Sequence, residues 1–461
     1  MVGVAAVGAL RHRLDRSWRR PRNGNIVIAG SPLRMFRLTD SGINVIRQLE
    51  GQVGSGPTTD TPASRLLLDR LVDAGALHPL PSTGPFGVAD VTIVVPTHER
   101  LPAWLADAAA CGAAQTVLVD DGSRVALDTP AKVTVLRHES NRGPAAARNS
   151  GLAKVATALV AFLDSDVSLP AATNLGDFLT ALLVHFTDSR VALVAPRVAG
   201  APGATWLAGY EQRHSPLDLG EQPARVAPGT RVTYVPAAAL LCRTEALREI
   251  GGFDESLRVG EDVDLVWRLV AAGHRCRYEP TVVALHEPRA SLAALLGQRF
   301  GYGRSAASLA SRHPGAVTPL RISRTSALAL GLIMLRRPLM AAAVIVGATV
   351  ALGHKLRGLP PSESARLVGL GTLGAGRQLA AATTREWWPP AVALAVLSPR
   401  SRVPLLAAVL VPTIERALAD RSLQPITDAP VQLCDRVAYG AGVWAGAVDQ
   451  RNLNSLLPDM R

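Results

Sequence analysis

Cysteine, lysine and aromatic residues are scarce in this chain of 461 residues. The four cysteines, Cys111, Cys242, Cys276 and Cys434, are far apart and form no Cys-x-x-Cys pair. This spacing argues against a disulfide framework or a cysteine zinc site and fits a reducing compartment. Aromatic residues make up 4% of the chain, which does not favour a platform for stacking bases. We therefore expect neither a small secreted scaffold nor a nucleic-acid partner.

Long uncharged apolar runs are also missing, since none reaches the roughly 18–20 residues that one membrane-spanning helix needs. Residues 1–286 hold 29 basic and 28 acidic residues, whereas residues 287–461 hold 20 and 9. Residues 287–461 alternate apolar stretches with arginines, and the pair Trp387 and Trp388 suits an interfacial anchor. Buried helices are the simpler explanation, but we expect this region to associate with the cytoplasmic face of the cell membrane. No secretory signal is predicted in residues 1–10.

Composition divides the chain into a basic tail (1–23), a small domain (24–85), an α/β domain (88–305) and a helical, basic and apolar region (306–461). The basic stretch at residues 11–22 is expected to fray. The small domain has strand-like segments at 25–29 and 35–38, and helix-like segments at 42–49 and 63–73. This mixture predicts a winged-helix-like module.

Short apolar runs separated by helical stretches dominate residues 88–305. The runs predicted to be strands are 91–95, 116–119, 133–136, 158–163 and 191–195. Fully apolar strands that alternate with helices predict a mostly parallel sheet covered on both faces. Residues 199–231 are rich in proline and glycine and are predicted to be a long loop, which in a compact domain is usually functional.

Two acidic corners close two of the predicted strands. Asp164-Ser165-Asp166 follows the run 158–163, and Asp120-Asp121-Gly122-Ser123 follows the run 116–119. Open α/β sheets bind ligands at the carboxyl ends of their strands. Two carboxylates one residue apart suit a hard divalent cation, which in turn suits a diphosphate. The corners predict a site for a metal and a nucleotide, although either one alone is also explained by an ordinary turn.

Three further blocks carry polar residues at comparable places. Residues 94–100 end the first strand with Pro96, Thr97 and Glu99, which can meet a base or a ribose. Residues 141–149 start a helix at Pro144 and place Arg148 one turn later, where it can project toward a nucleotide. Residues 260–264 open another helix with two adjacent carboxylates, one of which can take a proton from an acceptor hydroxyl. The simpler explanations are a turn, an exposed arginine and carboxylates stabilised by the helix dipole.

Together these five blocks resemble those of the family 2 glycosyltransferases, which have the GT-A fold, a Rossmann-like α/β fold. The resemblance covers about residues 88–305. It implies a nucleotide-sugar donor, a divalent metal (Mg²⁺ or Mn²⁺), and inversion of the anomeric carbon by direct displacement. The residues that it implies for binding the nucleotide-sugar are Pro96, Thr97, Glu99, Asp120, Asp121, Arg148, Asp164, Ser165 and Asp166.

The same resemblance implies roles at the reacting centre. Asp166 would ligate the metal, and Asp164 would lie near the metal or the ribose. Asp262 would be the general base, with Glu261 as its neighbour. His286 follows the strand-like residues 281–285 and is either a third metal ligand or a structural histidine.

The layout of the chain is similar to a narrower family, the glycosyltransferases of the mycofactocin system. Residues 30–34 resemble a PqqD-type peptide-binding winged helix, and residues 210–229 and 234–241 resemble the mycofactocin family. This implies transfer of glucose from UDP-glucose to a peptide-derived redox cofactor, mycofactocin or its precursor. Two alternatives stay open: a glycosyltransferase with a membrane lipid or polysaccharide acceptor, and a non-catalytic module that binds peptide or nucleic acid.

Overall fold

The computed structural model describes residues 11–21, 24–51 and 61–460. The chain forms two compact units, of which the first ends at Pro288 and the second begins at Arg289. Residues 1–10, and with them the prediction about a secretory signal, lie outside the described residues.

The described part of residues 11–80 folds into a small module of strands and helices. In chain order these are β1 (Arg11–Leu14), β2 (Ile26–Ala29), β3 (Arg34–Arg37), α1 (Asp40–Gly51), α2 (Pro62–Asp73) and β4 (Leu77–Leu80). Strand β2 pairs antiparallel with β3, and β1 pairs antiparallel with β4. The two strands and two helices predicted for this module are confirmed within two residues at each end.

Helix α2 begins where its sequence predicts a start. The hydroxyl of Thr61 accepts a hydrogen bond from the backbone N–H of Ser64 at 3.1 Å, and Pro62 occupies the first helical position. These features satisfy donors that a helix N-terminus otherwise leaves unpaired.

The prediction that residues 11–22 fray is wrong for Arg11–Leu14. Strand β1 pairs with β4 along its whole length. The next residue, Asp15, is almost fully buried, and its Oδ2 lies 2.9 Å from Nε2 of His78. Positive charge alone therefore does not keep this segment out of the module.

Within the described residues, nine strands form the central sheet of the first unit. They are β5 (Val91–Thr97), β6 (Gln115–Asp120), β7 (Val133–Arg137), β8 (Leu159–Leu163), β9 (Val167–Ser168), β10 (Val191–Gly200), β11 (Ala224–Val226), β12 (Ala239–Arg243) and β13 (Arg275–His286). Their order is β11-β13-β10-β12-β8-β5-β6-β7, and β9 pairs with β13. All five runs predicted to be strands are confirmed.

Most strands of this sheet run in one direction. Strands β8, β5, β6 and β7 pair in parallel, and so do β10 and β13. Strand β12 lies antiparallel between β8 and β10, so the two groups share one direction. The carboxyl ends of β5, β6, β8 and β13 consequently lie at the same edge of the sheet.

Helices cover both faces of the sheet, as the alternating pattern predicts. They are α3 (Leu105–Ala108), α4 (Pro144–Leu152), α5 (Leu175–Leu183), α6 (Trp206–His214), α7 (Thr244–Glu249) and α8 (Glu261–Ala271). The core is continuous between the strands and α5, where Phe178 and Leu182 pack with Val91 and Leu159.

Residues 199–231 are not one loop, which corrects the prediction. They contain α6 and β11, and β10 continues to Gly200. Thr205 caps α6, because its hydroxyl accepts a hydrogen bond from Ala208 N at 3.1 Å. A Cβ on Gly200 would lie 2.7 Å from Cα of Gln212, so α6 packs directly on the end of β10. The many prolines and glycines conceal this short helix in the sequence.

The second unit is mainly helical in its described part. Its elements are α9 (Leu292–Arg312), β14 (Arg321–Ile322), α10 (Arg324–Met334), α11 (Pro338–Lys355), α12 (Pro361–Thr384), α13 (Trp388–Leu397), α14 (Pro399–Asp420), α15 (Gln424–Asp449) and β15 (Asp459–Met460). Helices α9 and α15 lie backbone to backbone, since a Cβ on Gly442 would lie 2.0 Å from the carbonyl oxygen of Phe300. Among the described residues, α11 alone is long and apolar enough to cross a membrane, and it is 6% buried.

Candidate active site

The acidic motif residues lie at the carboxyl edge of the central sheet. Thr97 and Asp120, the last residues of β5 and β6, are register partners. Asp164 directly follows β8, and His286 ends β13 at the same edge. The strand register therefore brings together residues that are up to 189 positions apart in the chain (from 97 to 286).

Arg148 of α4 connects the carboxylate of Asp164, which follows β8, with that of Glu261, which begins α8. Its Nη2 lies 2.7 Å from Oδ1 of Asp164, and its Nη1 lies 2.8 Å from Oε1 of Glu261. The guanidinium is 3% exposed and stands 5.5 Å from the ring of Phe253. In this structure it holds carboxylates, while the contact with a nucleotide expected from the sequence stays a prediction.

Burial shapes the charge state of this cluster. It raises the pKa of Asp164, against the charge of Arg148, which lowers it. Burial, together with the neighbouring charge of Asp262, raises the pKa of Glu261 to about 7. Burial also raises the pKa of Asp262, although a hydrogen bond from the backbone N–H of Val263 opposes this. The cluster thus places one carboxyl that can exchange a proton near neutral pH, Glu261, and two others with raised pKa beside one permanent cation.

Glu261 and Asp262 differ in how firmly they are held. Glu261 is tied to Arg148, whereas Oδ2 of Asp262 has a long contact of 3.4 Å with the N–H of Ala237. Oδ1 of Asp262 accepts the N–H of Val263 at 2.8 Å, in the first turn of α8. Asp262 therefore differs from Glu261 in having no direct ion pair with Arg148 and in accepting only from backbone N–H groups.

Asp166 and His286 form the protein side of a candidate metal site. Oδ2 of Asp166 lies 3.2 Å from Nε2 of His286. Within residues 11–21, 24–51 and 61–460, no group of three or more His, Cys, Asp or Glu is arranged to hold a metal ion. One carboxylate and one imidazole nevertheless fit a metal whose other ligands are phosphate oxygens and water. Asp164 borders this pair, but its Oδ1 is bound to Arg148.

The first sequence block forms a tight loop after β5. Glu99 has a positive φ of 56°, and its N–H donates to Oγ of Ser123 at 2.7 Å. The hydroxyl of Thr97 donates to the carbonyl oxygen of Arg100. Pro96 lies buried within β5. The loop is thereby joined to the second block, which contains Ser123.

The second block is held by its neighbours. Oδ1 of Asp120 accepts the N–H of Ser123 at 2.9 Å, and Oδ2 lies 3.4 Å from Nε of Arg137. Asp121 accepts the N–H groups of Arg142 at 2.9 Å and Gly143 at 2.8 Å, which come just before α4. Both carboxylates are nearly fully buried.

The sequence did not single out His138 or Ser150, which also adjoin this edge. Nδ1 of His138 lies 2.7 Å from Oδ1 of Asp121, and Nε2 lies 2.9 Å from Oγ of Ser150. The one available signal in the sequence was the position of His138, two residues after the end of the predicted strand at 133–136.

Comparisons with known proteins agree with this geometry. The family model described as "Glycosyl transferase family 2" matches residues 92–251, a range that includes the acidic corners. The "Pre-mycofactocin glycosyltransferase" of Mycobacterium tuberculosis (strain ATCC 25618 / H37Rv) is 37% identical over 469 aligned residues, covering 97% of each chain.

One further relative and one solved structure match less of the chain. The "Succinoglycan biosynthesis protein ExoU" of Rhizobium meliloti (strain 1021) is 32% identical over 197 residues, covering 37% of this chain and 54% of that protein. A solved structure of the mannosyltransferase PcManGT from Pyrobaculum calidifontis, in complex with GDP-Man and Mn²⁺, is 18% identical. It covers 71% of this chain and 89% of the other, with a TM-score of 0.38.

The family model and the sheet define the class of protein: a nucleotide-sugar glycosyltransferase with the GT-A fold. The chain belongs to glycosyltransferase family 2 and, within it, to the family of the pre-mycofactocin glycosyltransferases.

Proposed function

We propose that this enzyme transfers glucose from UDP-glucose to a mycofactocin precursor, with inversion at the anomeric carbon and with a divalent metal. The observation that carries the acceptor is the 37% identity, over 97% of each chain, to a protein named for that precursor. The sugar follows from the narrower resemblance to the mycofactocin family, and the inversion and the metal follow from the resemblance of the five sequence blocks. The arrangement of carboxylates at one sheet edge supports them.

The donor lies along the carboxyl edge of the sheet in this proposal. Asp121 and Thr97 face the nucleoside, and Asp164 and Asp166 face the diphosphate. Asp166 and His286 would hold the metal, which when bound would supply positive charge beside the diphosphate. Arg148 fixes Asp164 through the 2.7 Å contact and links it to Glu261, so the donor and acceptor sides keep a constant spacing.

Asp262 is the general base in this proposal. The acceptor hydroxyl oxygen attacks the anomeric carbon, its proton passes to Asp262, and the bond from that carbon to the diphosphate oxygen breaks. One displacement without a covalent enzyme intermediate inverts the configuration. Burial supports this role, because it raises the pKa of Asp262 and so makes its carboxylate a stronger base.

The module of β1–β4, α1 and α2 is winged-helix-like in this proposal and contacts the acceptor's peptide part. The predicted limits of the small domain, 24–85, leave out β1, which pairs with β4. The limits of the catalytic domain at 88–305 and of the C-terminal region at 306–461 are part of the proposal.

Membrane association is the second element that a specific observation favours. The ends of α10, α11 and α13 carry large apolar side chains that solvent reaches: Leu335 is 72%, Leu339 86% and Leu397 81% exposed. Arg336 and Arg337 lie between Leu335 and Leu339 in the sequence. Apolar side chains beside arginines suit the interface of an anionic membrane, and a lipid acceptor is the corresponding alternative function.

Transfer assays with UDP-glucose test the proposal. The full-length enzyme, the precursor and Mn²⁺ or Mg²⁺ should yield UDP and a hexosylated product, and EDTA should stop the reaction. A product that partitions into an organic phase with a lipid acceptor, and none with the precursor, would favour the alternative. Mass spectrometry of the cofactor from cells with and without the gene extends the test, because hexose additions that persist in the deletion contradict the proposed acceptor.

A further inference from the structure

Asp121 faces the nucleoside in the proposed function, and most of its capacity to accept hydrogen bonds is already used. A carboxylate offers about four lone-pair positions. Oδ1 accepts the N–H of Arg142 at 2.9 Å and faces Nδ1 of His138 at 2.7 Å, which fills both of its positions. Oδ2 accepts the N–H of Gly143 at 2.8 Å. One position on Oδ2 therefore remains for a substrate.

The direction of the hydrogen bonds at His138 follows from its partners. An ionised carboxylate only accepts hydrogen bonds, so Nδ1 of His138 carries the hydrogen that Asp121 receives. The other ring nitrogen, Nε2, lies 2.9 Å from the hydroxyl oxygen of Ser150. The backbone N–H of His138 also donates to the carbonyl oxygen of Asp120, at 2.9 Å. The imidazole is thereby fixed by the strand β6 on one side and by α4 on the other.

The surrounding backbone leaves little room for Asp121 to move. Gly122 has a positive φ of 76°, and a Cβ there would lie 2.5 Å from the carbonyl carbon of Ser140. The side chains of His138 and Asp121 are 9% and 6% exposed. The corner at Asp121 and the segment that carries His138 are consequently packed as one rigid group before any substrate arrives.

We propose that His138, held by Ser150, is a positioning residue that aims the one open acceptor of Asp121 at a ring N–H of the base. A base with such a donor, as in uracil, fills the remaining acceptor position of the Asp121 carboxylate. Cytosine presents an acceptor nitrogen at the same ring position, and two acceptors facing each other repel. The group formed by Asp121, His138 and Ser150 therefore selects between UDP and CDP, and this inference rests on the proposed function of the edge as a donor site.

Binding of UDP and CDP to full-length variants tests the proposal. His138→Phe keeps a ring of similar size but removes the donor, and His138→Gln keeps an N–H donor. In His138→Phe the Kd for UDP should rise about tenfold, equal to about 1.4 kcal/mol, while the Kd for CDP changes less than about threefold. His138→Gln should recover most of the loss, and Ser150→Ala should weaken UDP binding by about threefold, since one neutral hydrogen bond is worth about 1 kcal/mol at most here.

Steady-state kinetics separate positioning from damage to the fold. The KM for the donor should rise in His138→Phe while kcat at saturating donor falls less than about threefold, because binding energy lost equally from ground and transition state leaves kcat intact. His274→Phe is the matched control: that histidine also faces a carboxylate, Glu249 at 3.1 Å, but it precedes β13 at the opposite edge of the sheet. It should leave both nucleotide affinities unchanged.

Several results would overturn the inference. Equal losses for UDP and CDP in His138→Gln and Ser150→Ala would show a general structural role, and these milder variants decide the matter if His138→Phe does not fold. An unchanged UDP-to-CDP ratio in a folded His138→Phe overturns it as well, while leaving the proposed function in place. Wild-type enzyme that binds no nucleoside diphosphate at all overturns the proposed function and the inference together.

Discussion

Replacing Arg148 with methionine tests whether the site depends on one buried cation. The Arg148 side chain is 4% exposed, and its partners Asp164 and Glu261 are 26% and 10% exposed. Removing one member of a buried ion pair leaves an uncompensated charge and typically costs about 3–5 kcal/mol. Partial protonation of the carboxylates limits this cost, so we expect the first unit to lose about 3 kcal/mol of unfolding free energy.

Protonation gives this variant a characteristic pH dependence. Burial already raises the pKa of Asp164 and of Glu261, the latter to about 7, and losing the cation raises both further. An acid whose folded pKa exceeds its unfolded pKa loses stability as pH rises through the folded value. The deficit of Arg148→Met relative to wild type should therefore shrink when the pH falls from about 8 to about 6.

The assay is chemical or thermal unfolding, with the transition of the first unit fitted separately from that of the second. Arg148→Lys should lose about half as much unfolding free energy as Arg148→Met, because an ammonium keeps the charge but cannot donate to two carboxylates with the geometry of a guanidinium. Arg142→Met is the control, since the side chains of Arg142 and its partner Glu255 are 52% and 43% exposed. That exposed pair should contribute less than about 1 kcal/mol. Equal effects of Arg148→Met and Arg142→Met would refute the reasoning.

Three other predictions concern the metal, the helix packing and the acid stability. Asp166→Ala should lower kcat by about a thousandfold, as expected when transition-state charge stabilisation is lost, with excess Mn²⁺ giving no rescue; activity within about tenfold of wild type would contradict the metal role. Gly442→Ala should destabilise the second unit by about 2 kcal/mol or more, because α9 leaves no space for a Cβ. Its control is Gly347→Ala on α11, where a Cβ meets nothing within 4 Å and should stabilise the unit by about 0.5 kcal/mol. The same shift in melting temperature for both variants would contradict the packing argument. Burial alone would raise the pKa of Asp188, but hydrogen bonds and charge from Arg275 and its neighbours lower it below the ordinary aspartate value of about 3.9. The stabilisation by ionised Asp188 should be present above that value and disappear as the pH falls through the lower folded pKa. The unfolding free energy of Asp188→Asn should therefore decrease less steeply than that of wild type as the pH is lowered through this range.

The sheet and its acidic edge could be predicted because both leave local patterns. Apolar runs marked the strands, and the corners at Asp120 and Asp164 followed them directly. Parallel strands place their carboxyl ends together, so the proximity of the corners followed from the fold class.

Other features depend on contacts between distant residues and leave no local pattern. The sequence placed Arg148 one turn into a helix, but its hydrogen bonds to Asp164 and Glu261 depend on how α4 packs on β5 and β6, which brings Arg148 to the end of β8 and the start of α8. The contact of His138 with Asp121 joins positions 17 residues apart, which directly follow the separate strands β7 and β6. Helix α6 was missed because proline and glycine signals outweighed its single cap, Thr205.

The most direct measurement of the central claim is release of UDP from UDP-glucose together with mass spectrometry of the precursor, for wild type and Asp262→Asn. Asparagine keeps the size of the side chain but cannot accept the proton from the acceptor hydroxyl at neutral pH. Wild type should release UDP in step with hexose addition, and Asp262→Asn should bind UDP normally while its transfer rate falls by at least about a hundredfold. Undiminished transfer by Asp262→Asn, or a wild type that transfers no hexose from any nucleotide-sugar, would contradict the claim.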